Sequence, residues 1–371
     1  MNSPRLRPPP GPRRVLRSRR SAAAVLAVAL AAVLPGLTAC SGDSASALAL
    51  DAPLPTTVPG GTVIRIGDPS IQVALEASGL DKELSDAGVK VEWADISGGP
   101  QSIQAFRADK LDCSSVADIP SLFAHWTGTS TQIVFQSVTV DPLQHPVYQL
   151  GVAPGAHVTT LADLKGKKIA YSAGQAQGAL VLRVLQKAGL TKKDVKLVEL
   201  PSTASTYAQA LGSGAVDVAP LGAATIQSAY LSQYPGATAI DTGIRDDAST
   251  VYCLTKAVKD PAKSAALRVY VAARTKALLW QNDHPEQWEQ AYYVKNQGLS
   301  AADAAAAVKA GGTKAIPKTW DAAVDRLQAT ADLLASEQDN PKFDVHTVVD
   351  TRFAAVEAEA AGSAVVTGDA S

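Results

Sequence analysis

The sequence of 371 residues has little of the chemistry that metal centres need. It contains three cysteines and five histidines, and no HxxxH or CxxC pattern joins any of them. Zinc sites use closely spaced cysteine and histidine ligands, so we expect no metal and no cofactor. The histidines are scattered along the chain: His125, His145, His157, His284 and His346.

An excess of positive charge is also missing. The chain has 34 Lys and Arg against 35 Asp and Glu, a formal net charge of −1. Seven arginines and no acidic residue lie in residues 1–39, so a chain without them carries −1 − 7 = −8. Nucleic-acid-binding domains are basic, and this balance therefore argues against nucleic acid as a partner.

The chain has no apolar run of membrane-spanning length at its N-terminus. The run from Ala22 to Leu34 has 13 residues, fewer than the roughly 20 that cross a bilayer. It follows the arginines, an order typical of an export signal. It leads to "LTAC", and Leu37 to Cys40 resembles the lipobox of bacterial lipoproteins. The resemblance implies a signal peptide, 1–39, and a lipid on Cys40.

Export predicts a protein anchored by lipid to the outer face of the cell membrane. Residues 40–61 would then be the anchor and a flexible tether, because Pro, Thr and Gly dominate their end. A plain secretory signal is the alternative. The "SRR" at Ser18 to Arg20 also leaves twin-arginine export open beside the general secretory route.

Strand and helix patterns alternate from Thr62 to Val258. This alternation predicts an α/β fold with a mostly parallel sheet that helices cover on both faces. From Pro261 to Gln338 only helical patterns follow, which predicts a helical C-terminal part. One apolar stripe at helical spacing predicts core packing there: Trp320, Val324, Leu327, Ala331 and Leu334.

The stretch "DISGGPQSIQAF", residues 95–106, puts two glycines and a proline between a strand pattern and a helix pattern. Glycine lets the backbone approach a ligand closely, and a helix start offers N–H groups to an anion. An ordinary tight turn is the alternative. Ligands of open α/β sheets bind at the carboxyl ends of strands. Five such loops predict a neutral, donor-rich cleft: 67–72, 97–102, 114–120, 172–178 and 220–225.

Longer stretches resemble a known family. "LADLKGKKIAYSAG" and "ALVLRVLQKAGL", within 161–190, resemble the middle of solute-binding proteins of ABC importers, in particular those for nitrate, taurine and alkanesulfonates. "VEWADISGGPQSIQAF" is similar to the family's glycine-proline turn, and "ADKLDCSSVADIPSLFA" to the segment after it. "FDVHTVVDTRF" resembles the closing segment. The resemblance covers about 62–353.

This resemblance implies a two-lobed periplasmic-binding-protein fold of type II with two hinge crossovers. Lobe one would be 62–152 plus 251–353, lobe two 153–250, and 354–371 a C-terminal tail. A solute held between the lobes would stabilise a closed form that docks on an ABC transporter permease. The protein would act as a monomer.

The same resemblance places Cys113 beside Cys253, within reach of a disulfide. Two unpaired buried thiols are the alternative. The third cysteine, Cys40, is the expected lipid site. Whether or not Cys113 and Cys253 are bonded, none of the three cysteines lies in the five loops.

The expected solute is a small anionic or zwitterionic organic molecule, and the resemblance points to an aliphatic sulfonate or taurine. A sulfonate is a monoanion at physiological pH, so its site needs hydrogen-bond donors. The candidates are the backbone at Gly98, Gly99, Gln101 and Ser102, and the side chains of Ser70, Gln72, Ser115, Gln175, Gln177 and Thr225.

Two charged candidates have structural alternatives. Arg245 lies near the second crossover and pairs either with a bound anion or with Asp246 or Asp247. Asp118 either caps the helix that starts at Ile119 or faces the amine of a zwitterionic solute. These alternatives stay open in the sequence.

Rival functions keep the same fold. Many sulfonate binders carry an aromatic-Asp-Pro set where this chain has "LGAAT", 221–225, which predicts a reshaped wall in lobe two. A binder of a thiamine-pyrimidine-like heteroaromatic needs stacking residues, for which Trp93 and Tyr171 are the nearby options. A desulfinase-type enzyme needs a reactive Cys or His in the five loops. They contain none, so we expect no enzyme.

Overall fold

The computed structural model describes residues 47–96, 98–201, 205–223, 225–246 and 249–366. The predicted signal peptide and Cys40 lie outside them, and so do Ser97 and Asp247. Among the described residues, no helix has both the length and the apolar character that crossing a membrane requires.

The described residues form twelve strands and thirteen α-helices. The strands are β1 Thr62–Gly67, β2 Val89–Trp93, β3 Cys113–Val116, β4 Thr131–Thr139, β5 Tyr148–Val152, β6 Lys168–Tyr171, β7 Lys196–Glu199, β8 Val218–Gly222, β9 Thr238–Ile240, β10 Ser249–Leu254, β11 Lys314–Pro317 and β12 Val365–Val366. The helices are α1 Pro69–Ser78, α2 Asp81–Asp86, α3 Gly99–Arg107, α4 Ile119–Trp126, α5 Ala176–Lys187, α6 Thr206–Gly212, α7 Thr225–Gln233, α8 Thr255–Lys259, α9 Pro261–Asp283, α10 Pro285–Trp288, α11 Ala301–Gly311, α12 Asp321–Gln338 and α13 Arg352–Ala361. A π-helix, Glu289–Asn296, follows α10.

The strands make two sheets, of seven and five strands. Their orders are β12-β11-β4-β10-β3-β1-β2 and β7-β6-β8-β5-β9. We call the elements around the first sheet lobe one and those around the second lobe two. Strands β1 to β3 and β6 to β8 are parallel, but β4, β10, β5 and β9 pair antiparallel. The sheets are therefore mixed rather than mostly parallel, because strands at the crossovers enter from the opposite direction.

The crossovers lie between β4 and β5 and between β9 and β10. The predicted end of lobe one at residue 152 is wrong, because β5 pairs with β8 and β9 in the second sheet. The other lobe bounds stay predictions. The carboxylate of Asp246 joins the two crossovers by accepting hydrogen bonds from the backbone N–H groups of Val147 and Tyr148, both at 2.9 Å.

The C-terminal part is less purely helical than expected. Strand β11 pairs with β4, and β12 pairs with β11 at the sheet edge. The expected tail also differs: Glu357 of α13 is fully buried and accepts hydrogen bonds from the backbone of Gln136 and the indole of Trp320. The predicted apolar stripe of α12 is confirmed, since all five members are buried.

The described part of the expected tether packs against lobe one. The N–H of Leu48 donates to the carbonyl of Lys259 at 2.8 Å, and Nη1 of Arg352 donates to the carbonyl of Ala52 at 2.7 Å. Leu54 and Val58 pack against the core. Apolar residues between the prolines hold this segment on lobe one.

The disulfide between Cys113 and Cys253 is present, and it links residues 140 apart in sequence. The two residues are direct partners in the antiparallel pair of β3 and β10. Both are fully buried in the core of lobe one. The bond therefore ties the strand that leaves toward α4 to the strand that returns from lobe two.

We expect the double variant Cys113→Ala with Cys253→Ala to lower the free energy of unfolding by about 2 to 4 kcal/mol. Opening the loop raises the entropy of the unfolded chain, while the folded backbone keeps its strand pairing. Urea unfolding of oxidised wild type and variant measures the difference. Reducing agent must shift wild type toward the variant and leave the variant unchanged; equal unfolding midpoints of oxidised wild type and variant would contradict the prediction.

Candidate functional site between two sheets

The glycine pair at the start of α3 has two separate roles. Gly98 has φ 85° and ψ 148°, a conformation that residues with a side chain avoid. A Cβ on Gly99 would lie 2.7 Å from Cβ and Cγ of Pro120. The pair therefore allows the chain to turn and lets the starts of α3 and α4 lie side by side.

The start of α5 in lobe two is as tightly built. The hydroxyl of Ser172 donates to Oε1 of Gln175 at 3.0 Å. A Cβ on Gly178 would lie 2.1 Å from the carbonyl oxygen of Ser172, so only glycine allows this helix turn to pack on the end of β6. The loop holds Gln175 and Gln177 at the edge of their sheet.

These helix starts from the two lobes face one cavity. It has a volume of about 640 Å³, and we call it the interlobe cavity. Gly98, Gly99 and Gln101 line it from lobe one, and Gln175 and Gln177 line it from lobe two. No charged residue lines it among the described residues, and its polar side chains are neutral.

Tyr148 also lines the interlobe cavity, and the sequence did not single it out. Burial raises the pKa of its hydroxyl to about 12, and the nearby charge of Asp246 adds to the effect. The hydroxyl thus stays protonated and can donate a hydrogen bond. A lone tyrosine at the start of a crossover strand carries no sequence signal for this position.

Ser115 and Ser70 lie further along the lobes, outside the interlobe cavity. A cavity of about 310 Å³ shares Val116, Ala117 and Tyr148 with the interlobe cavity and also contains Ser115. Ser115 also lines a third cavity, of about 610 Å³, and Ser70 lines this third cavity as well. We call this last cavity the lobe-one chamber.

Arg274 of α9 lines the lobe-one chamber and was missed by the sequence analysis. It is 3% exposed. Its Nε donates to Oδ2 of Asp68 at 3.1 Å, and its Nη2 donates to the hydroxyl of Ser115 at 3.3 Å. The sequence contains a signal for this position: Arg274 lies four residues after Tyr270 and four before Leu278, so all three share the buried side of α9. A cation on such a face requires a buried partner.

Asp118 and Arg245 line a small cavity of about 30 Å³ with Arg183 and Arg326, and this cavity shares Tyr148 and Ala176 with the interlobe cavity. Asp118 makes no side-chain capping bond, so the structure does not support the capping alternative, and a role toward the amine of a solute stays a prediction. Its carboxylate lies 3.9 Å from Nη2 of Arg183, which belongs to lobe two. Burial raises the pKa of Asp118, and the charge of Arg183 opposes that rise.

We expect Asp118→Asn to raise Tm near pH 7, with a gain that shrinks toward pH 4. The pKa of Asp118 is higher in the folded state than in the unfolded state. The protonated carboxyl group therefore stabilises the fold fully at a pH below the unfolded-state pKa, and this stabilisation is lost as the pH rises through the folded-state pKa. Asparagine resembles the protonated form and keeps the stabilisation at pH 7. Scanning calorimetry over that range measures it.

Asp163→Asn is the matched control of opposite sign. Backbone N–H groups of Thr159 and Thr160 lower the pKa of Asp163 to about 2, so its stability is present above the unfolded pKa and is lost as the pH falls. This variant should therefore lower Tm near pH 7. A pH-independent effect of Asp118→Asn would contradict the assigned pKa direction.

Three candidates lie elsewhere. Gln72 donates to Glu76 on the surface of α1 and lines none of the described cavities. Ser102 is fully buried: its N–H donates to the carbonyl of Gly98, and its hydroxyl bonds Ser114. Thr225 lines a different cavity, of about 180 Å³. None of the three lines the interlobe cavity, and their part in ligand binding stays a prediction.

The two aromatic options for stacking are also packed away from the interlobe cavity. The ring of Trp93 lies 6.3 Å from that of Tyr270, in lobe one. The hydroxyl of Tyr171 accepts a hydrogen bond from Gln338, and its side chain is buried. Neither ring offers a face to a ligand there.

A family comparison matches residues 84–288 to the model described as NMT1/THI5 like. The matched segment contains α3 to α5 and both crossovers, which build the interlobe cavity, and it covers more than half of the chain. The chain belongs to the NMT1/THI5-like family. Its glycine turn and the two helix starts at the cavity thus lie inside the matched region.

Two curated relatives of this NMT1/THI5-like chain carry the provisional name aliphatic sulfonates-binding protein. The Escherichia coli K12 protein is 35% identical over 107 residues, 29% of this chain and 32% of the relative. The Bacillus subtilis protein is 25% identical over 224 residues, 59% of this chain and 64% of the relative. The alignments span less than two thirds of either relative.

Solved structures share the fold. The periplasmic aliphatic sulphonate binding protein SsuA of E. coli matches with a TM-score of 0.65 at 24% identity, over 78% of this chain and 92% of that one. This likeness confirms the predicted two-lobed periplasmic-binding-protein fold. A desulfurization enzyme, DszB, shares it at a TM-score of 0.55 and 17% identity, over 80% of this chain and 99% of the enzyme. The fold alone therefore does not separate binding from catalysis.

Proposed function

We propose that this protein is an extracytoplasmic solute-binding protein of an ABC importer and that it captures a small organic anion of the alkanesulfonate class. One observation carries the proposal: the interlobe cavity is lined jointly by Gly98, Gly99 and Gln101 of lobe one and by Gln175 and Gln177 of lobe two. The two relatives with sulfonate-binding names support the ligand class.

The cavity chemistry suits a sulfonate. Helix starts point backbone N–H groups toward it, and Gln101, Gln175, Gln177 and Tyr148 add neutral side-chain donors. A permanent monoanion needs donors and no proton exchange. Without a charged residue in its lining, the cavity distinguishes solutes by their hydrogen-bond acceptors and shape.

Binding at both lobes explains closure. A solute that touches only one lobe binds the open and closed forms with the same affinity, so it does not shift the equilibrium between them. Reversing a 1:99 ratio of closed to open protein requires the solute to bind the closed form more tightly by about 5.5 kcal/mol. The crossovers clamped by Asp246 are the natural hinge. In this proposal the closed form docks on a permease, and a lipid on Cys40 holds the monomeric protein at the outer face of the membrane.

The rival enzyme has less support in the site. Cys113 and Cys253 are joined in the core, and neither cysteine nor histidine lines the interlobe cavity among the described residues. Hydrolysis of a sulfinate needs a nucleophile or general base within reach of the substrate. Capture and release fit the lining better than turnover.

Isothermal titration of the chain without residues 1–39 tests the proposal. The ligands are ethanesulfonate, butanesulfonate and taurine, with nitrate, propionate and an aminopyrimidine as comparisons. We expect saturable binding of the sulfonates and recovery of the intact ligand afterwards. Tighter binding of the pyrimidine than of any sulfonate would replace the ligand class, and release of sulfite would establish an enzyme.

A further inference from the structure

The lobe-one chamber has no assigned role. Its walls come from α1, β3, β10, α9, α10, the π-helix, α11 and β11 of lobe one, together with His145 of the first crossover. At about 610 Å³ it is nearly as large as the interlobe cavity, and it is within the size range of sites that enclose an organic ligand, roughly 300 to 1,000 Å³. A ligand bound there would touch lobe one and the first crossover, and among the described residues no residue of lobe two lines the chamber.

The chamber is cationic and rich in donors. Arg274, Lys309 and Lys314 line it, and no carboxylate does so among the described residues. Asp68 lies behind Arg274 and balances its charge through Nε. Oδ1 of the same carboxylate accepts from the backbone of Ile71 and the hydroxyl of Ser70, so α1 shares this partner.

Arg274 keeps unused hydrogen-bonding capacity. Its Nη1 is buried and has no hydrogen-bond acceptor among the described residues, although such groups are nearly always paired in folded proteins. The hydroxyl of Ser115 already accepts from Nη2, so its own proton can point into the chamber. Ser115 thus presents a hydroxyl donor to the chamber, and Arg274 holds that hydroxyl in place.

Aromatic rings also line the chamber. The rings of Trp288 and Tyr292 are stacked, with centroids 4.6 Å apart and planes 3° from parallel. Tyr293 meets Tyr292 edge to face at 5.0 Å. Both tyrosines belong to the π-helix, and all three rings line the chamber. A ligand ring can extend this stack or pack against its edge.

We propose that the lobe-one chamber is a second ligand site that takes a planar ring bearing an acid group, with the acid on Arg274 and Ser115 and the ring against Tyr292. An arenesulfonate or an arenecarboxylate has this chemistry. The proposal does not depend on the alkanesulfonate function, because it uses none of the helix starts of the interlobe cavity. Binding there needs no closure of the lobes.

The test titrates the chain without residues 1–39 with benzenesulfonate, benzoate, hexanesulfonate and ethanesulfonate. Hexanesulfonate matches benzenesulfonate in carbon number and lacks the ring. We expect Tyr292→Leu to weaken benzenesulfonate binding about two- to tenfold and to leave ethanesulfonate unchanged. Arg274→Lys keeps the charge but loses the planar guanidinium donors. It should weaken the binding of benzenesulfonate and of benzoate about tenfold or more.

Two further variants keep the result clear. Ser115→Ala removes one donor without disturbing the pair of Arg274 with Asp68, so it tests acid binding in the chamber if Arg274→Lys fails to fold. Tyr234→Leu truncates an aromatic side chain in lobe two and should leave the affinity for benzenesulfonate unchanged.

The outcomes separate this proposal from the function above. Equal benzenesulfonate affinity in wild type, Tyr292→Leu and Ser115→Ala would overturn the chamber site, as would failure of wild type to bind any ring acid. If a ring acid binds through Tyr292 while ethanesulfonate does not bind, the chamber site stands and the alkanesulfonate function falls. If ethanesulfonate binds and no ring acid binds, the chamber site is wrong and the alkanesulfonate function stands.

Discussion

Asp68→Asn should lower the free energy of unfolding by about 3 to 5 kcal/mol, the typical cost of breaking a buried ion pair from one side. Asp68 is 1% exposed and its partner Arg274 is 3% exposed. The amide keeps the size of the carboxylate and one oxygen for the backbone of Ile71, but it removes the negative charge that Nε of Arg274 donates to. Guanidinium unfolding near pH 7, followed by circular dichroism, measures the loss.

An exposed pair provides the control. Lys90 and Glu92 lie 3.1 Å apart with side chains 67% and 51% exposed, so Glu92→Gln should leave the unfolding midpoint unchanged. Asp68→Leu combined with Arg274→Met removes both charges and should recover much of the lost stability. If Asp68→Asn unfolds at the wild-type midpoint, the guanidinium has another countercharge and the assigned role of Asp68 is wrong.

Gly99→Ala should weaken sulfonate binding about tenfold to a hundredfold. The new methyl group would overlap Pro120 at 2.7 Å, so the starts of α3 and α4 must move apart by roughly 1 Å, a displacement large enough to disrupt a positioned set of donors. Titration calorimetry with butanesulfonate measures the change, and circular dichroism confirms that the variant is folded.

Two comparisons isolate the geometric cause. Gly60→Ala adds the same methyl group where no atom lies within 4 Å, and it should bind like wild type. Pro120→Gly removes both atoms that the methyl group meets, so the double variant with Gly99→Ala should recover part of the affinity, which appears as a coupling energy in a double-mutant cycle. Additive losses would mean that the two helix starts do not position the ligand together.

Local patterns in the sequence predicted most elements. The alternation of strands and helices before Val258 matches β1 to β10, and the stripe from Trp320 to Leu334 is buried as expected. These features depend on neighbours a few residues apart, because side-chain period and turn chemistry are local properties. Strand β11 was missed because only four residues form it, between two helices.

The candidate site was predicted in part. Gly98, Gly99, Gln101, Gln175 and Gln177 share one cavity, because each lies at the start of a helix that follows a parallel strand. Ser102 does not, since it comes one helical step after Gln101 and faces the core. Loop residues are placed by strand ends, but helix residues are placed by rotation about an axis that the sequence does not give.

Tertiary structure alone decided the partners that are distant in the chain. Arg274 reaches Ser115 across 159 positions and Asp68 across 206, and β5 joins the second sheet through β8 and β9. By itself the sequence determined where strands, helices and glycine turns occur, since backbone preference and periodic burial act over a few residues. Which of them meet around a cavity depends on sheet order and long-range packing, whose energies appear only when distant segments are in contact.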